Sequence, residues 1–288
     1  MNAGLILVTR SMPAGSLDPL IAAGYILDTH DVLTALPRSQ LLERAGGCVA
    51  MLTTLADTID ADVLDAAGPQ LRVVANCAVG YHNIDLAACH ARTVTVTNTP
   101  DALTAATADF AFALLLAAAR RIAEGDRLVR SRTPWQWAPT FMLGADPTGS
   151  RLGLVGLGRI GQALARRAGG FDMAVNYFKP APAPADIEQT LGAGWMPLDE
   201  LLTTSNHLIG VAIDNHEHEP AVHPRLRNHE RAIQTPHLGS ATESTRLQMA
   251  GLAAANILAV LRGDDPPSPV PPGDHHPDDE ASTHDRSV

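Results

Sequence analysis

The sequence is poor in features that would each mark a particular class of protein. Its 288 residues contain only three cysteines, Cys48, Cys77 and Cys89. An odd number without C-x-x-C spacing argues against a disulfide framework. No purely apolar run approaches the roughly 20 residues that cross a bilayer, and the N-terminus lacks the basic region that opens a secretory signal. We therefore expect a cytoplasmic protein that contacts no membrane.

Basic residues are also scarce. The chain has 21 Lys and Arg against 31 Asp and Glu, a formal net charge of −10. Nucleic-acid binding depends largely on cations at the phosphates, so this balance predicts no nucleic-acid partner. Hydrophobic residues reach 45%, which is enough for a packed core. Residues 264–288 hold six Pro, seven acids and one Arg, and we expect this acidic, Pro-rich tail to be disordered.

Apolar runs typical of buried strands alternate with helical patterns along the rest of the chain. The strand candidates are 5–9, 48–53, 71–75 and 94–97. Such alternation predicts an α/β fold, with parallel sheets covered by helices. A helix predicted over 101–121 is apolar nearly all round, so we expect it to be buried at a domain or subunit interface.

A glycine-rich segment offers the most specific local pattern. Arg151–Gly161 reads RLGLVGLGRIG, a short apolar strand followed by G-x-G-x-x-G and a helical pattern. In a dinucleotide site Gly156 permits the tight turn, Gly158 admits the pyrophosphate and Gly161 lets the helix pack on the strand. The first helical turn, with Arg159 and Ile160, then presents backbone N–H groups to the phosphates.

The residue after the next predicted strand bears on cofactor choice. NAD sites usually carry an acid near the end of that strand, for the ribose hydroxyl. Here the strand Ala174–Phe178 is followed by Lys179. A cation at this place favours the 2′-phosphate of NADP, whereas an ordinary surface lysine is compatible with NAD. The expected cofactor is NADP or NAD, with NADP preferred.

Several segments together resemble the D-isomer-specific 2-hydroxyacid dehydrogenases, and most of all their glyoxylate/hydroxypyruvate reductase branch. They occur in family order and cover nearly all of the chain to Gly263. The matching segments are NCAVGYHNID (76–85), TNTPDALTAATADFAFALLLAAARR (97–121), WAPTFMLG (137–144), GLVGLGRIGQALARRAGGF (153–171), DNHEHEP (214–220) and TPHLGSAT (235–242).

The resemblance implies two lobes with the active site in the cleft between them. A flavodoxin-like substrate domain would comprise 1–99 plus 241–263. A Rossmann-like NAD(P)-binding domain, 100–240, would be inserted in it. The family commonly forms dimers through the region matched by 101–144, so a homodimer is expected.

The resemblance also implies the roles of particular residues. His237 would donate a proton to the substrate carbonyl oxygen as hydride arrives, and Glu219 would hold that histidine protonated. Val79 and Gly80 would bind the substrate carboxylate through backbone N–H groups. Trp137 would lie near the neighbouring subunit's site, Thr107 would line the cofactor side of the cleft, and Asp214 would contact the nicotinamide carboxamide.

One part of the family pattern is absent. The family's carboxylate-binding Arg lies in an N-x-x-R-G segment, and no such segment occurs here. From Leu152 to His237 there are only 86 residues, room for three or four strands, whereas a full dinucleotide fold needs about six. We expect about two βα units to be missing near 206–208. Arg225, Arg227 or Arg231 could replace the lost Arg, although nothing in the sequence directs any of them into the cleft and a solvated surface role is favoured for each.

These features leave three functional hypotheses. The first is an NAD(P)H-dependent reductase that converts glyoxylate or hydroxypyruvate to the D-2-hydroxy acid. The second is a catalytically dead relative that binds cofactor or forms dimers. The third is a partner-binding regulator of transcription, against which the acidic tail argues. No metal site is predicted, because the histidines around Glu219 lie near Pro220 and Pro224 and not on one helix face.

Overall fold

A computed structural model describes residues 4–204, 211–215, 219, 221–227, 229 and 232–271. The chain divides into two compact units. The first contains the residues up to Leu103 together with those from Thr242 onward, and the second runs from Thr104 to Ala241. The assignment of the first unit to substrate and of the second to cofactor stays a prediction. Among the described helices, none is long and apolar enough to cross a membrane.

Strands and helices alternate along the described residues, as the sequence predicts. The elements are β1 (Leu5–Val8), α1 (Asp18–Ala22), β2 (Ile26–Thr29), α2 (Arg38–Ala45), β3 (Cys48–Thr53), α3 (Ala61–Ala67), β4 (Val73–Asn76), α4 (Leu86–Ala91), β5 (Thr95–Thr97), α5 (Thr104–Ala119), α6 (Ile122–Arg130), β6 (Arg151–Val155), α7 (Arg159–Gly169), β7 (Ala174–Phe178), α8 (Ala185–Leu191), β8 (Ala193–Trp195), α9 (Leu198–Thr204), β9 (Val211–Ile213), α10 (Pro224–Arg227), β10 (Ala232–Gln234) and α11 (Glu243–Arg262).

The first unit is built on a five-stranded parallel sheet. Its strand order is β2-β1-β3-β4-β5, the flavodoxin-like order that the sequence predicts for this lobe. The central strands are apolar on both faces, because helices cover both sides of the sheet. One core cluster includes residues of α2, α3 and α4, and a second, on α11, includes Ala253, Ala254 and Ile257.

The second unit contains two separate parallel sheets. Three parallel strands follow the order β6-β7-β8, and β9 pairs with β10 as a separate two-stranded parallel sheet. In the described residues β6 pairs only with β7, and Val155 at its end is 70% exposed. The estimate of three or four strands was too low, because β9 and β10 have only three residues each.

The long helix predicted over 101–121 is shorter than expected. Asp101 has a φ of 67°, so α5 begins only at Thr104. Arg121 has a φ of 55°, which ends the helical path and starts α6 in a new direction. Within α5 only Ala108 and Phe112 are buried, so this chain does not cover the apolar circumference of the helix.

The prediction of disorder from residue 264 onward is wrong for residues 264–271. Val270 is 7% exposed, and its amide donates to the Val96 carbonyl at 2.9 Å. Pro269 forms an antiparallel bridge with Thr97 of the edge strand β5. Composition suggested disorder because the tail has few apolar residues to offset the entropy lost on ordering. Residues 264–271 are nevertheless ordered on a sheet edge, a place where an extended chain tolerates prolines. Residues 272–288 lie outside the described residues.

The packing of α11 on the sheet gives a test of the first unit. Ile257 is fully buried, whereas Leu247 on the same helix is 42% exposed. We expect Ile257→Ala to lower the free energy of unfolding by about 2–4 kcal/mol, through lost burial and the cavity left behind. The matched Leu247→Ala change should stay within about 0.5 kcal/mol of the wild type. Urea titrations followed by circular dichroism measure both, and equal losses would contradict this packing.

Candidate active site

The glycine loop joins β6 to α7. Its backbone is closely packed at Gly161 and has free space at Gly156 and Gly158. Gly156 has a φ of 98°, a conformation that L side chains rarely adopt. A Cβ on Gly161 would lie 2.6 Å from the Gly156 carbonyl oxygen, whereas a Cβ on Gly156 or Gly158 would meet nothing within 4 Å. Gly161 therefore lets helix and loop pack together, and the other two glycines leave space above the backbone.

That open space lies at the start of α7. Gly158 is the N-cap residue, and as a glycine it has no side chain to cap the helix. Uncapped N–H groups and the positive end of the helix dipole bind phosphate groups well. The geometry around Gly156, Gly158, Arg159, Ile160 and Gly161 thus fits the pyrophosphate of a dinucleotide.

The segment after β7 is fixed by two aromatic residues that the sequence analysis did not single out. The Trp195 indole Nε1 donates to the Lys179 carbonyl at 2.9 Å. The buried Tyr177 hydroxyl donates to Glu188 Oε1 at 2.6 Å and accepts from the Ala183 amide at 2.6 Å. Burial and the hydrogen bond to Glu188 raise the pKa of Tyr177, so the hydroxyl keeps the proton that it donates. Lys179 itself is half-buried.

His237 and Glu219, which the sequence predicts as a pair, lie together in the second unit. The distance between His237 Nδ1 and Glu219 Oε2 is 3.1 Å. Both side chains are partly open to solvent, at 41% and 36% exposure. The contact joins an imidazole to a carboxylate that can accept its Nδ1–H, which is the arrangement that general acid–base catalysis requires.

The loop that carries His237 is organised around Asp214, the first residue after β9. The Asp214 carboxylate accepts from Thr235 Oγ1 at 2.6 Å, from the Leu238 amide at 2.7 Å and from the Gly239 amide at 2.7 Å. The His237 amide donates to the Asp214 carbonyl at 2.8 Å. These bonds hold His237 at a φ of 56°, in a left-handed conformation that a residue other than glycine adopts only at a cost.

The acidity of Asp214 reflects these contacts. Burial raises its pKa, but the hydrogen bonds from Thr235, Leu238 and Gly239 and the proximity of His237 lower it by more. The net pKa lies below the ordinary value for an aspartate, so the carboxylate is charged at neutral pH. The sequence suggested only a cofactor contact for Asp214, and that role stays a prediction beside the loop contacts observed here.

Thr107 of α5 reaches the same loop. A Cβ on Gly239 would lie 3.1 Å from Thr107 Cγ2 and 3.1 Å from Asp214 Oδ2. The structure thus brings together two of the residues predicted for the cofactor side, and only a glycine fits between them. Gly239, two residues after His237, is the position in the sequence that could have indicated this close approach.

The other predicted residues are placed as follows. Val79 and Gly80 follow β4 in the first unit, where their carbonyls accept from Asn98 Nδ2 and Asn76 Nδ2, each at 2.8 Å. Trp137 follows α6 and is 75% exposed. Of the three candidate replacement arginines, Arg227 is exposed on α10, and the side chains of Arg225 and Arg231 lie outside the described residues.

A metal site near Glu219 would need several ligand side chains that meet at one point. In the part of the chain that the structure describes, no three His, Cys, Asp or Glu side chains meet as a group able to hold a metal ion. His216 and His218 lie outside the described residues.

Comparison with known proteins finds glyoxylate reductases of similar sequence. A glyoxylate reductase of Thermococcus onnurineus is 37% identical, over a region that covers 92% of this chain and 95% of the relative. A glyoxylate reductase of Pyrococcus horikoshii is 38% identical, with the same two coverages. Among solved structures, the TT0316 protein from Thermus thermophilus has a TM-score of 0.86 and 37% identity, with 93% of this chain and 100% of that chain covered.

The alignment to the Thermococcus relative is longer than this chain. It runs over 321 positions, while 92% of 288 residues is about 265 residues. About 56 positions therefore hold a residue of the relative and none of this chain. That number is close to two βα units of about 30 residues. Their location near 206–208 stays a prediction.

The match to the family extends over most of the chain. The model of the D-isomer specific 2-hydroxyacid dehydrogenase catalytic domain matches residues 6–271. This range includes the glycine loop, the His237–Glu219 pair and the ordered segment that ends at Pro271. The chain therefore belongs to the D-isomer specific 2-hydroxyacid dehydrogenases, a family of oxidoreductases.

Proposed function

We propose that this protein reduces a small 2-keto acid, glyoxylate or hydroxypyruvate, to the D-2-hydroxy acid with NADPH or NADH. The observation that carries the proposal is the 3.1 Å contact between His237 Nδ1 and Glu219 Oε2, on a loop held by Asp214. Glyoxylate reductases at 37% and 38% identity support this choice of substrate class.

His237 is the proton donor in this proposal. With Nδ1–H directed at Glu219, the opposite ring nitrogen, Nε2, can give its proton to the carbonyl oxygen of the substrate. The Glu219 carboxylate accepts the Nδ1–H and so fixes which ring nitrogen faces the substrate. The left-handed backbone at His237 keeps the ring at a fixed place on the loop, which reduces the entropy lost when the substrate binds.

The glycine loop is the proposed cofactor site. A bound reduced nicotinamide would supply the hydride for the carbonyl carbon. Gly156, Gly158 and the first turn of α7, with Arg159 and Ile160, would hold the pyrophosphate, and Thr107 and Asp214 would line the nicotinamide side. We propose a preference for NADP, because Lys179 stands where an acid would otherwise bind the ribose hydroxyl.

The substrate carboxylate would bind the backbone amides of Val79 and Gly80. The family's Arg is missing from this sequence, and charged hydrogen bonds are about twice as strong as neutral ones. The protein should therefore bind keto acids more weakly than relatives that keep the Arg.

We also propose a homodimer formed through α6 and the loop that follows it. Large apolar side chains are exposed here together: Ile122 at 58%, Val129 at 63%, Trp135 at 56%, Trp137 at 75% and Leu143 at 62%. Contiguous exposed apolar surface on a soluble chain marks an interaction site. The homodimer would also bring Trp137 to the neighbouring subunit's site.

The catalytic assignment is tested by turnover. The purified protein is expected to oxidise NADPH or NADH when glyoxylate or hydroxypyruvate is added, which the nicotinamide absorbance follows. His237→Ala should lower kcat by about 10²–10⁴-fold, because it removes a general acid, and Glu219→Gln should lower it by less. The control His90→Ala changes an exposed histidine on α4 and should leave kcat unchanged. A wild type that binds cofactor without turnover would show a catalytically dead relative.

The cofactor site is tested by two glycine variants. Gly158→Ala should fold normally, since its Cβ meets no atom of the protein, yet it should lose most of its affinity for NADPH in calorimetry, because the methyl group occupies the pyrophosphate space. Gly161→Ala should instead lower the melting temperature, because its Cβ would press on the Gly156 carbonyl. Undiminished NADPH binding by Gly158→Ala would contradict the assignment.

The same titrations resolve the choice of cofactor. Lys179 is the only lysine in the sequence, so an amine-reactive label has one side-chain target. NADPH should bind more tightly than NADH and should slow labelling of Lys179, and Lys179→Asp should reverse the order of affinities. Equal protection by the two cofactors would remove the argument for NADP.

The dimer is tested by sedimentation velocity at micromolar concentration. The wild type should sediment as a dimer, and Val129→Glu should shift it to monomer by placing a charge in the apolar surface. Leu33→Glu is the matched control, because Leu33 is 91% exposed in the first unit. A monomeric wild type would contradict the proposal.

A further inference from the structure

The loop after β4 has three successive carbonyl oxygens fixed by hydrogen bonds. Ala78 accepts from the Thr99 amide, Val79 from Asn98 Nδ2 and Gly80 from Asn76 Nδ2, each at 2.8 Å. In a trans peptide the C=O and the following N–H point in opposite directions. Fixing the carbonyls of Ala78 and Val79 therefore turns the N–H groups of Val79 and Gly80 away from the donors.

Those two amides have no acceptor within the described chain. Neither Val79 nor Gly80 donates a backbone hydrogen bond to any residue that the structure describes. Buried or half-buried N–H groups usually find a partner, and two adjacent free N–H groups form a concave site suited to an anion. Burial raises the pKa of the neighbouring Cys77 thiol to about 11, so this side chain adds no negative charge that would repel an anion at neutral pH.

Asn98 is itself held by the C-terminal segment. Its carbonyl accepts from Ser268 Oγ at 2.7 Å and from Asn256 Nδ2 at 3.3 Å, and its amide donates to the Ser268 carbonyl at 3.3 Å. Asn256, on α11, is fully buried. It donates to Ser268 Oγ at 2.8 Å and accepts from the Ser268 amide at 3.0 Å. Ser268 thus clamps Asn98 from the side opposite to Val79.

Asn76 is fixed from the centre of the sheet. It is 1% exposed, and its Oδ1 accepts from Thr53 Oγ1 at 3.1 Å. Its Nδ2 donates to Asn83 Oδ1 at 3.1 Å as well as to the Gly80 carbonyl. These contacts fix which end of the amide carries the donors, so Asn76 can only donate to the loop.

We propose that Asn76, Asn98 and Ser268 are positioning residues for the substrate carboxylate. Asn98 directs the Gly80 amide outward through the Val79 carbonyl, and Asn76 fixes the carbonyl of Gly80 itself. Ser268 acts through Asn98, and the amides of Val79 and Gly80 then form a two-point site for a carboxylate. The inference rests on the proposed function and extends it to the C-terminal segment. Because the family's Arg is missing, this site bears a larger share of carboxylate binding here.

The alternative is a purely structural network that stabilises the loop without affecting ligand binding. The two differ in which kinetic constant responds. A structural change would lower the melting temperature or alter the constants for both substrates together. A positioning change should raise KM for the keto acid alone, since kcat depends on His237 and the cofactor KM on the glycine loop.

The experiment uses the full chain and two variants. Asn98→Asp keeps the shape but loses the donor to Val79, and Ser268→Ala loses the hydroxyl that holds Asn98. Ser268→Ala removes about one hydrogen bond's contribution, so we expect KM for glyoxylate to rise about 5- to 20-fold. The rise should be larger in Asn98→Asp, whose new carboxylate also repels the bound anion. KM for NADPH should stay within about twofold and kcat within about threefold. Ser268→Thr keeps the hydroxyl and should restore a KM near the wild-type value.

Ser16→Ala is the matched control. It removes a hydroxyl-to-carbonyl hydrogen bond of 2.6 Å to Pro13 in the same unit and should leave KM unchanged. Oxalate, an unreactive dicarboxylate of similar size to glyoxylate, gives a second readout by calorimetry. Its Kd should rise in Asn98→Asp and Ser268→Ala by the same factor as KM.

The outcomes separate the two proposals. A wild type that turns over glyoxylate, with an unchanged KM and oxalate Kd in both variants, would overturn only the positioning role. A wild type that neither turns over keto acids nor binds oxalate would overturn the proposed function and this inference with it. A wild type that binds oxalate without turnover, with binding weakened in both variants, would support the carboxylate site and contradict the catalytic proposal.

Discussion

The catalytic loop of the second unit depends on one half-buried carboxylate. Asp214 accepts three hydrogen bonds from the loop that carries His237, and it packs beside Thr107 and Gly239. The histidine is held in a left-handed conformation that it would not adopt alone. The position of His237 is therefore set by a third residue, Asp214, through hydrogen bonds to the backbone of the loop. A similar logic operates in the first unit, where side-chain amides set the direction of backbone N–H groups.

The pKa of Asp214 makes this support dependent on pH. The pKa is lower in the folded protein than in the unfolded chain. The stability that Asp214 contributes is therefore fully present above the ordinary aspartate value and is lost as the pH falls through the folded value. The loop around His237 should therefore lose this support only when the pH falls below the ordinary aspartate value.

Local patterns predicted the parts of the molecule that are built from neighbouring residues. The glycine loop was readable because Gly156, Gly158 and Gly161 sit between a strand and a helix within one short segment. The His237–Glu219 contact was accessible only through family resemblance, since the two residues come from separate turns. The end of the long helix near Arg121 was predicted, but its start was placed three residues before Thr104 and α6 was not predicted.

Long-range contacts account for the clearest error. Ser268 and Asn98 are 170 residues apart in sequence, and composition alone assigned residues 264–271 to a disordered tail. The segment is ordered because its backbone pairs with the edge of β5 and because Ser268 binds the side chain of Asn256 and the backbone of Asn98. A Pro-rich segment can therefore be ordered when it pairs with an edge strand. Periodicity in the sequence does not reveal such pairing.

The shortened sheet of the second unit has a further consequence for solution behaviour. In the described residues the outer edge of β6 meets no other strand, and Val155 projects into solvent at its end. An unpaired edge presents a row of N–H and C=O groups that can template another extended chain. We therefore expect self-association through this edge to increase with protein concentration. The open edge of β6 is therefore a surface through which copies of this chain can associate.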